Sequence, residues 1–235
     1  MHKKMMALVL FASICMMGCG TSTNNTSSVS NNTDSAEAAE YKTEDVKISS
    51  YDEALERLKE GNERFLSDHS ELINVTSERR NELVEGQNPY AVVISCGDSR
   101  VTPATVFNVG LGEIFSIEIA GNVVDEDALG SVEYAVEHLQ SPLVVVMGHE
   151  SCGAVTATYD KVKNGTPVEG NINAIVDKIE SHIAGAESLD DAIQKNADAV
   201  KKQVEEDEIV KQLVDEGKVK VVKAYYSLDG SVKFE

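Results

Sequence analysis

Two unbroken apolar runs, residues 91–94 and 143–147, constrain the fold of this chain more than any other feature. Each run is followed almost at once by a polar motif, Cys-Gly-Asp-Ser-Arg at residues 96–100 and His-Glu-Ser-Cys-Gly at residues 149–153. Continuous apolar segments of this length are typical of strands buried on both faces of a sheet. The pattern therefore predicts two thiols and one imidazole at the points where two buried strands end.

The rest of the chain alternates between helical and strand patterns. Helices are predicted over residues 50–68, 77–85, 103–107, 127–140, 152–163, 171–182 and 189–216, and strands over residues 90–95, 114–119, 143–148, 218–227 and 231–234. This alternation indicates an α/β fold with a mostly parallel central sheet flanked by helices. Asp229-Gly230 is a two-residue turn signal, so the last strand is expected to form a C-terminal hairpin extension.

Cys96, His149 and Cys152 are the candidate metal ligands. In open parallel sheets, ligands bind beyond the carboxyl ends of the strands, where the strand order reverses. If the two strands are neighbours, one ion can reach all three side chains. Thiolates with an imidazole suit Zn²⁺, and three protein ligands leave a fourth position open for chemistry. The alternative for an exported protein is a disulfide between Cys96 and Cys152.

Asp98 and Arg100 stand beside the first candidate ligand. Arg100 can hold the carboxylate of Asp98 through a two-point contact, which leaves the fourth metal position to water. Released from Arg100, Asp98 is near enough in sequence to become a fourth metal ligand in a closed state. The alternative is a surface ion pair, which stabilises little. We expect the functional role because the pair adjoins a ligand cysteine at a strand end.

The other histidines have no partner at ligand spacing. His2 lies in the basic start of the predicted export signal, His69 in a polar loop, and His138 and His182 in predicted helices. We expect surface or core roles for all four, and nothing in the sequence selects one of them as a proton shuttle.

The N-terminal segment has the layout of an export signal. A basic start precedes an apolar stretch that is too short to span a bilayer, so residues 1–18 are predicted to be a signal peptide. Gly18-Cys19 is similar to a lipoprotein cleavage site, which predicts lipidation of Cys19; the alternative is a plain secretory signal. Residues 19–46 are polar and predicted to be a disordered tether. The folded domain is then expected at residues 47–235, exported and anchored on the extracytoplasmic side of the cell membrane.

Charge limits the partners of the chain. The formal net charge is -19, and it becomes -21 without residues 1–18, which carry Lys3 and Lys4 and no acid. A surface this acidic argues against nucleic acid and against anionic lipid headgroups as partners. Membrane association is therefore expected through the lipid anchor only, and a small neutral substrate would be indifferent to the charge.

The two motifs together resemble those of the β-class carbonic anhydrases. The likeness continues, in order, through residues 58–65, 101–107, 112–115, 120–122 and 130–134, and it covers about residues 51–235. Either motif alone would be moderately specific, whereas the joint match is highly specific.

The resemblance implies reversible hydration of carbon dioxide to bicarbonate and a proton. Position by position, Cys96, His149 and Cys152 match the zinc ligands of the family. Asp98 and Arg100 match its carboxylate–guanidinium dyad, which orients a zinc-bound hydroxide for attack on the carbon of the gas. The family also implies a homodimer or a homotetramer.

One residue departs from the family pattern. Many members have arginine two residues before the Ala-Gly-Asn stretch, where this chain has Glu118. In part of the family that arginine helps to form a non-catalytic bicarbonate pocket, which we predict is absent here. Two other functions stay open: a related zinc enzyme acting on another small linear electrophile such as carbon disulfide, and a non-catalytic exported protein with a Cys96–Cys152 disulfide.

Overall fold

A computed structural model describes residues 48–68, 70 and 73–235 of the chain. The predicted signal peptide, the lipidation site Cys19 and the tether lie outside the described residues, as do His2 and His69. Of the helices within the described ranges, none is both long enough and apolar enough to cross a membrane.

A mostly parallel sheet forms the centre of the fold. Its strands are β1 (Ala91–Ser95), β2 (Ile114–Glu118), β3 (Leu143–His149), β4 (Lys220–Tyr226) and β5 (Val232–Phe234). The spatial order is β2-β1-β3-β4-β5, with parallel pairing throughout except that β5 runs antiparallel to β4. The predicted α/β class, the parallel sheet and the C-terminal hairpin are confirmed.

Helices lie on both faces of this sheet. They are α1 (Tyr51–Leu66), α2 (Ser77–Glu82), α3 (Pro103–Val106), α4 (Glu126–Glu133), α5 (Gly153–Asn164), α6 (Ile172–His182), α7 (Leu189–Glu206) and α8 (Glu208–Asp215). Short 3₁₀ turns occupy Leu83–Glu85 and Ala120–Asn122, and a π-helical turn at Tyr134–His138 continues α4.

The covering of both sheet faces explains the unbroken apolar runs. Along β1, Val93 packs in one cluster with Leu58 of α1 and with Phe107, which follows α3. Val92 and Ile94 belong to the opposite cluster, together with side chains of α4, α7 and α8. Full burial of side chains of this size contributes about 1.5–3 kcal/mol each to stability. If one face of the sheet were exposed, every second residue of the strand would lose this contribution.

The predicted helix over residues 189–216 is wrong in one respect, because it is two helices. Asp207 leaves the helical conformation with φ −58° and ψ 137°. Its Oδ1 accepts hydrogen bonds from the backbone N–H groups of Ile209 (3.1 Å) and Val210 (3.0 Å). An aspartate that satisfies the first free amides of a helix is a strong N-cap, and here it restarts the helix as α8.

Asn62 of α1 fastens the C-terminal hairpin to the helical layer. Its Nδ2 donates to the carbonyl oxygens of Val106 (3.1 Å) and Gly230 (2.9 Å), and its Oδ1 accepts from the N–H of Val232 (3.0 Å). The preceding Gly61 lies so close to the backbone of Phe107 that an added Cβ would be 1.9 Å from its carbonyl oxygen. These contacts fix the hairpin that extends β4, the strand beside β3.

Candidate metal centre

The strand order brings the two motifs to one edge of the sheet. β1 pairs with β3, with Ile94 opposite Val146, and β2 lies on the other side of β1. The strands that follow β1 in the sequence therefore lie on both sides of it. The strand order reverses at β1, and sheets of this kind bind ligands at such a reversal point. Cys96 follows β1 and His149 ends β3, so the predicted adjacency of the two motifs is confirmed.

Cys96, His149 and Cys152 form a buried cluster. Their ligand atoms all lie within 4.8 Å of one another, and their exposed fractions are 5%, 0% and 1%. The two sulfur atoms are 4.0 Å apart and unbonded, whereas a disulfide bond measures about 2.05 Å. The structure thus brings together all three predicted metal ligands and does not contain the alternative disulfide.

A backbone contact fixes the tautomer of His149. Its Nδ1 lies 2.9 Å from the carbonyl oxygen of Glu150. A carbonyl only accepts hydrogen bonds, so Nδ1 carries the proton and Nε2 keeps its lone pair. Nε2 is buried and has no hydrogen-bond partner among the described residues. A buried nitrogen lone pair beside two sulfurs has the donor chemistry of a zinc site, and the residues present therefore fit that ion.

The loop between β3 and α5 turns His149 and Cys152 toward the same point. Ser151 adopts a positive φ of 57°, which reverses the chain within two residues. Cys152 is the N-cap of α5, with φ −62° and ψ 116°. A thiol at the start of a twelve-residue helix lies near its unpaired amides, which favour the thiolate form.

The two thiols differ in how readily they ionise. The thiol of Cys152 is oriented to donate to the sulfur of Cys96, and this contact lowers the pKa of Cys96. Burial opposes that shift, while His149 and the N–H of Gly121 add to it. Donation to Cys96, together with burial, raises the pKa of Cys152, and the weaker opposing effect of the backbone amides of Val155 and Ala154 does not cancel this shift. Metal ligands must be thiolates, so a bound cation would take the place of the shared proton.

Gly121 is a residue of the site whose role the sequence does not reveal. Its backbone N–H donates to Cys96 Sγ at 3.3 Å. It has a φ of +71°, and an added Cβ would lie 2.7 Å from Ile179 Cδ1 and 3.1 Å from Ala154 Cβ. Glycine is therefore required both for the left-handed conformation and for the close packing. The match of residues 120–122 to the family pattern was the only signal for it in the sequence.

Asp98 and Arg100 form the predicted two-point contact. Arg100 Nε lies 2.9 Å from Oδ1 of Asp98, and Nη2 lies 2.8 Å from Oδ2. The backbone N–H of Arg100 also donates to Oδ1 at 3.0 Å. These contacts hold the pKa of Asp98 well below its usual range, against a smaller opposing effect of burial. The carboxylate is therefore ionised and can only accept hydrogen bonds.

The remaining predicted positions lie outside the cluster. Glu118 ends β2 with an exposed side chain, opposite Ser95 of β1. His138 is largely exposed, and its Nε2 lies 3.6 Å from a carboxylate oxygen of Glu137. His182 contacts Asn196 instead of a metal ligand. In the part of the chain that the structure describes, the metal-ligand cluster consists of the three predicted residues only.

Comparison with known proteins agrees with this geometry. The profile of the family described as "Carbonic anhydrase" matches residues 91–232, more than half of the chain. The chain belongs to the carbonic anhydrase family. Its fold is similar to that of the Coccomyxa β-carbonic anhydrase solved in complex with acetazolamide, with a TM-score of 0.59 and 26% identity over 76% of this chain and 85% of that one.

Two curated relatives come from mycobacteria. Carbonic anhydrase 2 of Mycobacterium tuberculosis is 43% identical over 54% of this chain and 61% of its own length. A carbonic anhydrase of Mycolicibacterium smegmatis is 44% identical over 55% of this chain and 63% of its own length. The chain thus spans less than two thirds of the length of these relatives.

Proposed function

We propose that this protein is a zinc-dependent carbonic anhydrase that interconverts carbon dioxide with bicarbonate and a proton. The observation that carries the proposal is the buried, unpartnered Nε2 of His149, on a ring that offers a ligand nitrogen within 4.8 Å of the sulfurs of Cys96 and Cys152. The names of the mycobacterial relatives support the same activity.

Cys96, His149 and Cys152 would hold the ion through two sulfurs and one ring nitrogen. When bound, zinc supplies a Lewis acid that activates water at the open fourth position. Two thiolates cancel the charge of the ion, so this donor set makes a weaker Lewis acid than three neutral imidazoles. Groups outside the ligand set must therefore help to orient the attacking water.

Asp98 is the residue that would provide this orientation. Its ionised carboxylate accepts a hydrogen bond from the attacking water, which directs the oxygen lone pair toward the carbon of carbon dioxide. Arg100 keeps the carboxylate ionised and holds it in one place through two parallel hydrogen bonds. The same contact supports an open resting state, because a carboxylate held by Arg100 does not occupy the fourth ligand position.

The surroundings suit a small neutral substrate. The two cysteines pack in an apolar cluster with Val123, Val155 and Ile179. Carbon dioxide is uncharged and enters such a site without losing strong hydration. One water oxygen bonds to its carbon, one carbon–oxygen π pair moves to oxygen, and one proton leaves for solvent. The product bicarbonate is an anion, and the negative charge of the protein favours its departure.

Stopped-flow measurement of carbon dioxide hydration by the zinc-loaded full-length protein tests the proposal. We expect saturable, zinc-dependent turnover, with loss of zinc and of turnover together in Cys152→Ser. A zinc-loaded protein that does not accelerate hydration, or that hydrolyses carbon disulfide in preference, would contradict it.

We also infer that the protein is an exported lipoprotein. The basic start, the short apolar stretch and Gly18-Cys19 support this inference. Incorporation of labelled fatty acid in vivo tests it: we expect label in the wild type and none in Cys19→Ala. Wild-type protein that carries no fatty-acid label and is found inside the cell would overturn the inference.

A homodimer or homotetramer is the expected assembly. β2 is an edge strand, and large apolar side chains are exposed beside it, with 73% of Val84, 39% of Leu111 and 46% of Tyr134 accessible. Exposed apolar surface beside a free sheet edge favours association with another copy. Sedimentation equilibrium of the protein tests this, with Val84→Asp expected to weaken the assembly; a wild-type monomer at micromolar concentration would contradict it.

A further inference from the structure

Asn196 of α7 is a buried polar residue that the proposed reaction does not use. Its side chain is fully inaccessible, yet both ends of its amide are hydrogen-bonded. Nδ2 donates to the carbonyl oxygen of Gly121 at 2.8 Å, and Oδ1 lies 2.9 Å from Nδ1 of His182. An amide buried in this way is costly to accommodate unless each of its ends has a partner.

The orientation of this amide is dictated by Gly121. A carbonyl oxygen can only accept, so the donor end of Asn196 must face it. The acceptor end then faces His182, whose Nδ1 must carry a proton to make the second contact. The chain of hydrogen bonds therefore has one direction, from His182 through Asn196 to Gly121.

The hydrogen-bonded chain ends on a metal ligand. Gly121 accepts from Asn196 through its carbonyl oxygen and donates through its N–H to Cys96 Sγ, at 3.3 Å. Between these two contacts the backbone of Gly121 adopts a φ of +71°. These two contacts hold the peptide groups on either side of the Gly121 Cα. Loss of the Asn196 contact would let that Cα shift, and the shift would move the N–H away from the sulfur.

An N–H group that donates a hydrogen bond to a thiolate lowers the electron density that the sulfur donates to a metal ion. The hydrogen bond draws charge from the sulfur, so the ion beneath it remains a stronger Lewis acid. This matters most in a site with two thiolates, where the ligand charge already cancels that of the ion.

We propose that Asn196 is a positioning residue for the metal centre, acting through Gly121 on the sulfur of Cys96. The inference rests on the proposed function in that it requires a metal ion bound by Cys96. It assigns to His182 the role of holding the acceptor end of Asn196.

Cadmium NMR tests the inference directly. The full-length protein is labelled with ¹⁵N and loaded with ¹¹³Cd, and coupling between the Gly121 amide proton and the metal is measured across the sulfur. We expect coupling in the wild type and its loss in Asn196→Asp, which keeps the shape of the side chain but removes the donor. Zinc affinity should fall about 10- to 100-fold in the same variant.

Asn62→Asp is the matched control. Asn62 is also buried and also donates to two backbone carbonyls, but it lies in the hairpin contact described above. A merely structural role of Asn196 predicts that both variants lose stability and neither changes the cadmium coupling, and that result would overturn the inference. If Asn196→Asp does not fold, Asn196→Ala, which also lacks the donor, replaces it, and unchanged coupling there would equally overturn it.

The experiment separates this inference from the proposed function. Cadmium coupling needs metal binding but no turnover. If the protein binds metal and the coupling changes in Asn196→Asp, but the wild type does not hydrate carbon dioxide, only the proposed function is refuted. If the wild type is active and the coupling in Asn196→Asp is unaltered, only the role of Asn196 is refuted.

Discussion

The carboxylate of Asp98 and the guanidinium of Arg100 meet in a two-point contact, with oxygen–nitrogen distances of 2.9 and 2.8 Å. The two residues are separated by Ser99 only, so the contact is built into the loop that follows β1. It makes the carboxylate a permanent acceptor beside the three candidate metal ligands.

Asp98→Asn should keep the metal and lose turnover. The amide has nearly the same shape, but it is neutral and presents a donor where the carboxylate presents only acceptors. We expect kcat for carbon dioxide hydration to fall about 100-fold or more, the size typical of a lost proton-handling group. Zinc content measured on the same sample is the control, and normal turnover with one zinc per chain would refute the assigned role.

Arg100→Lys should lower the stability of the fold at neutral pH. Lysine keeps the charge but loses the two-point contact, so the pKa of Asp98 rises toward its ordinary value of 3.8. A carboxyl with a depressed pKa stabilises the fold above its unfolded-state pKa and loses that contribution as the pH falls through the folded value. The variant should therefore be less stable than the wild type at neutral pH, and the difference should shrink as both are acidified below about pH 4. Urea denaturation from pH 3 to pH 7 measures this, and a pH-independent difference would contradict it.

Removal of either thiol should remove the metal. We expect Cys96→Ser and Cys152→Ser to bind less than one tenth of the zinc that the wild type binds, because a serine hydroxyl is a much weaker ligand of Zn²⁺ than a thiolate. A chelator should lower the melting temperature of the wild type, since a ligand bound only to the folded state stabilises it. The same chelator should leave Cys152→Ser unchanged, and an equal shift in both proteins would argue against metal at this site.

The sequence was sufficient to predict the sheet and the three side chains that the structure brings together as candidate ligands. Unbroken apolar runs at residues 91–94 and 143–147, each ended by a polar motif, favour strands of a sheet covered on both faces, and the residues that follow such strands emerge at the edge of the sheet. Two cysteines and one histidine, Cys96, His149 and Cys152, at those strand ends have the donor atoms of a zinc site, so the sequence indicated metal chemistry.

The hydrogen-bonded support of the site could not be predicted in the same way. Asn196 and Gly121 are 75 residues apart, and their contact depends on the rotation of α7 about its own axis. Helical periodicity places Asn196 on the buried face but does not say which carbonyl it meets. The break at Asp207 was missed because apolar spacing continues across it, while the cap depends on one local backbone turn.

Gly61→Ala should destabilise the fold, and Gly130→Ala should not. A Cβ at Gly61 would meet the backbone of Phe107, which cannot move aside as a side chain can. We expect a loss of about 1–3 kcal/mol from this overpacking. Gly130 of α4 has nothing within 4 Å of an added Cβ, so alanine there should gain about 0.5–1 kcal/mol from helix propensity. Urea denaturation of both variants checks the prediction, and equal effects would contradict it.

Asp207→Ala should cost about 1 kcal/mol through loss of the cap of α8, whereas Asp207→Asn should keep the cap. Asp207 also raises the pKa of Glu133 through a side-chain contact. The repulsion is absent while Glu133 is protonated and present when it is ionised. The stability of Asp207→Asn relative to the wild type should therefore improve as the pH rises through the pKa of Glu133. Denaturation curves from pH 3 to pH 8 measure this, and a pH-independent difference would contradict it.

X-ray absorption at the zinc edge of the zinc-loaded protein would show whether Cys96, His149 and Cys152 hold the ion. We expect two sulfur scatterers at about 2.3 Å and two nitrogen or oxygen scatterers at about 2.0–2.1 Å, one of them with the outer-shell pattern of an imidazole. A shell without sulfur, a shell with only one sulfur, or a protein that binds no zinc while its two buried thiols are reduced would contradict it.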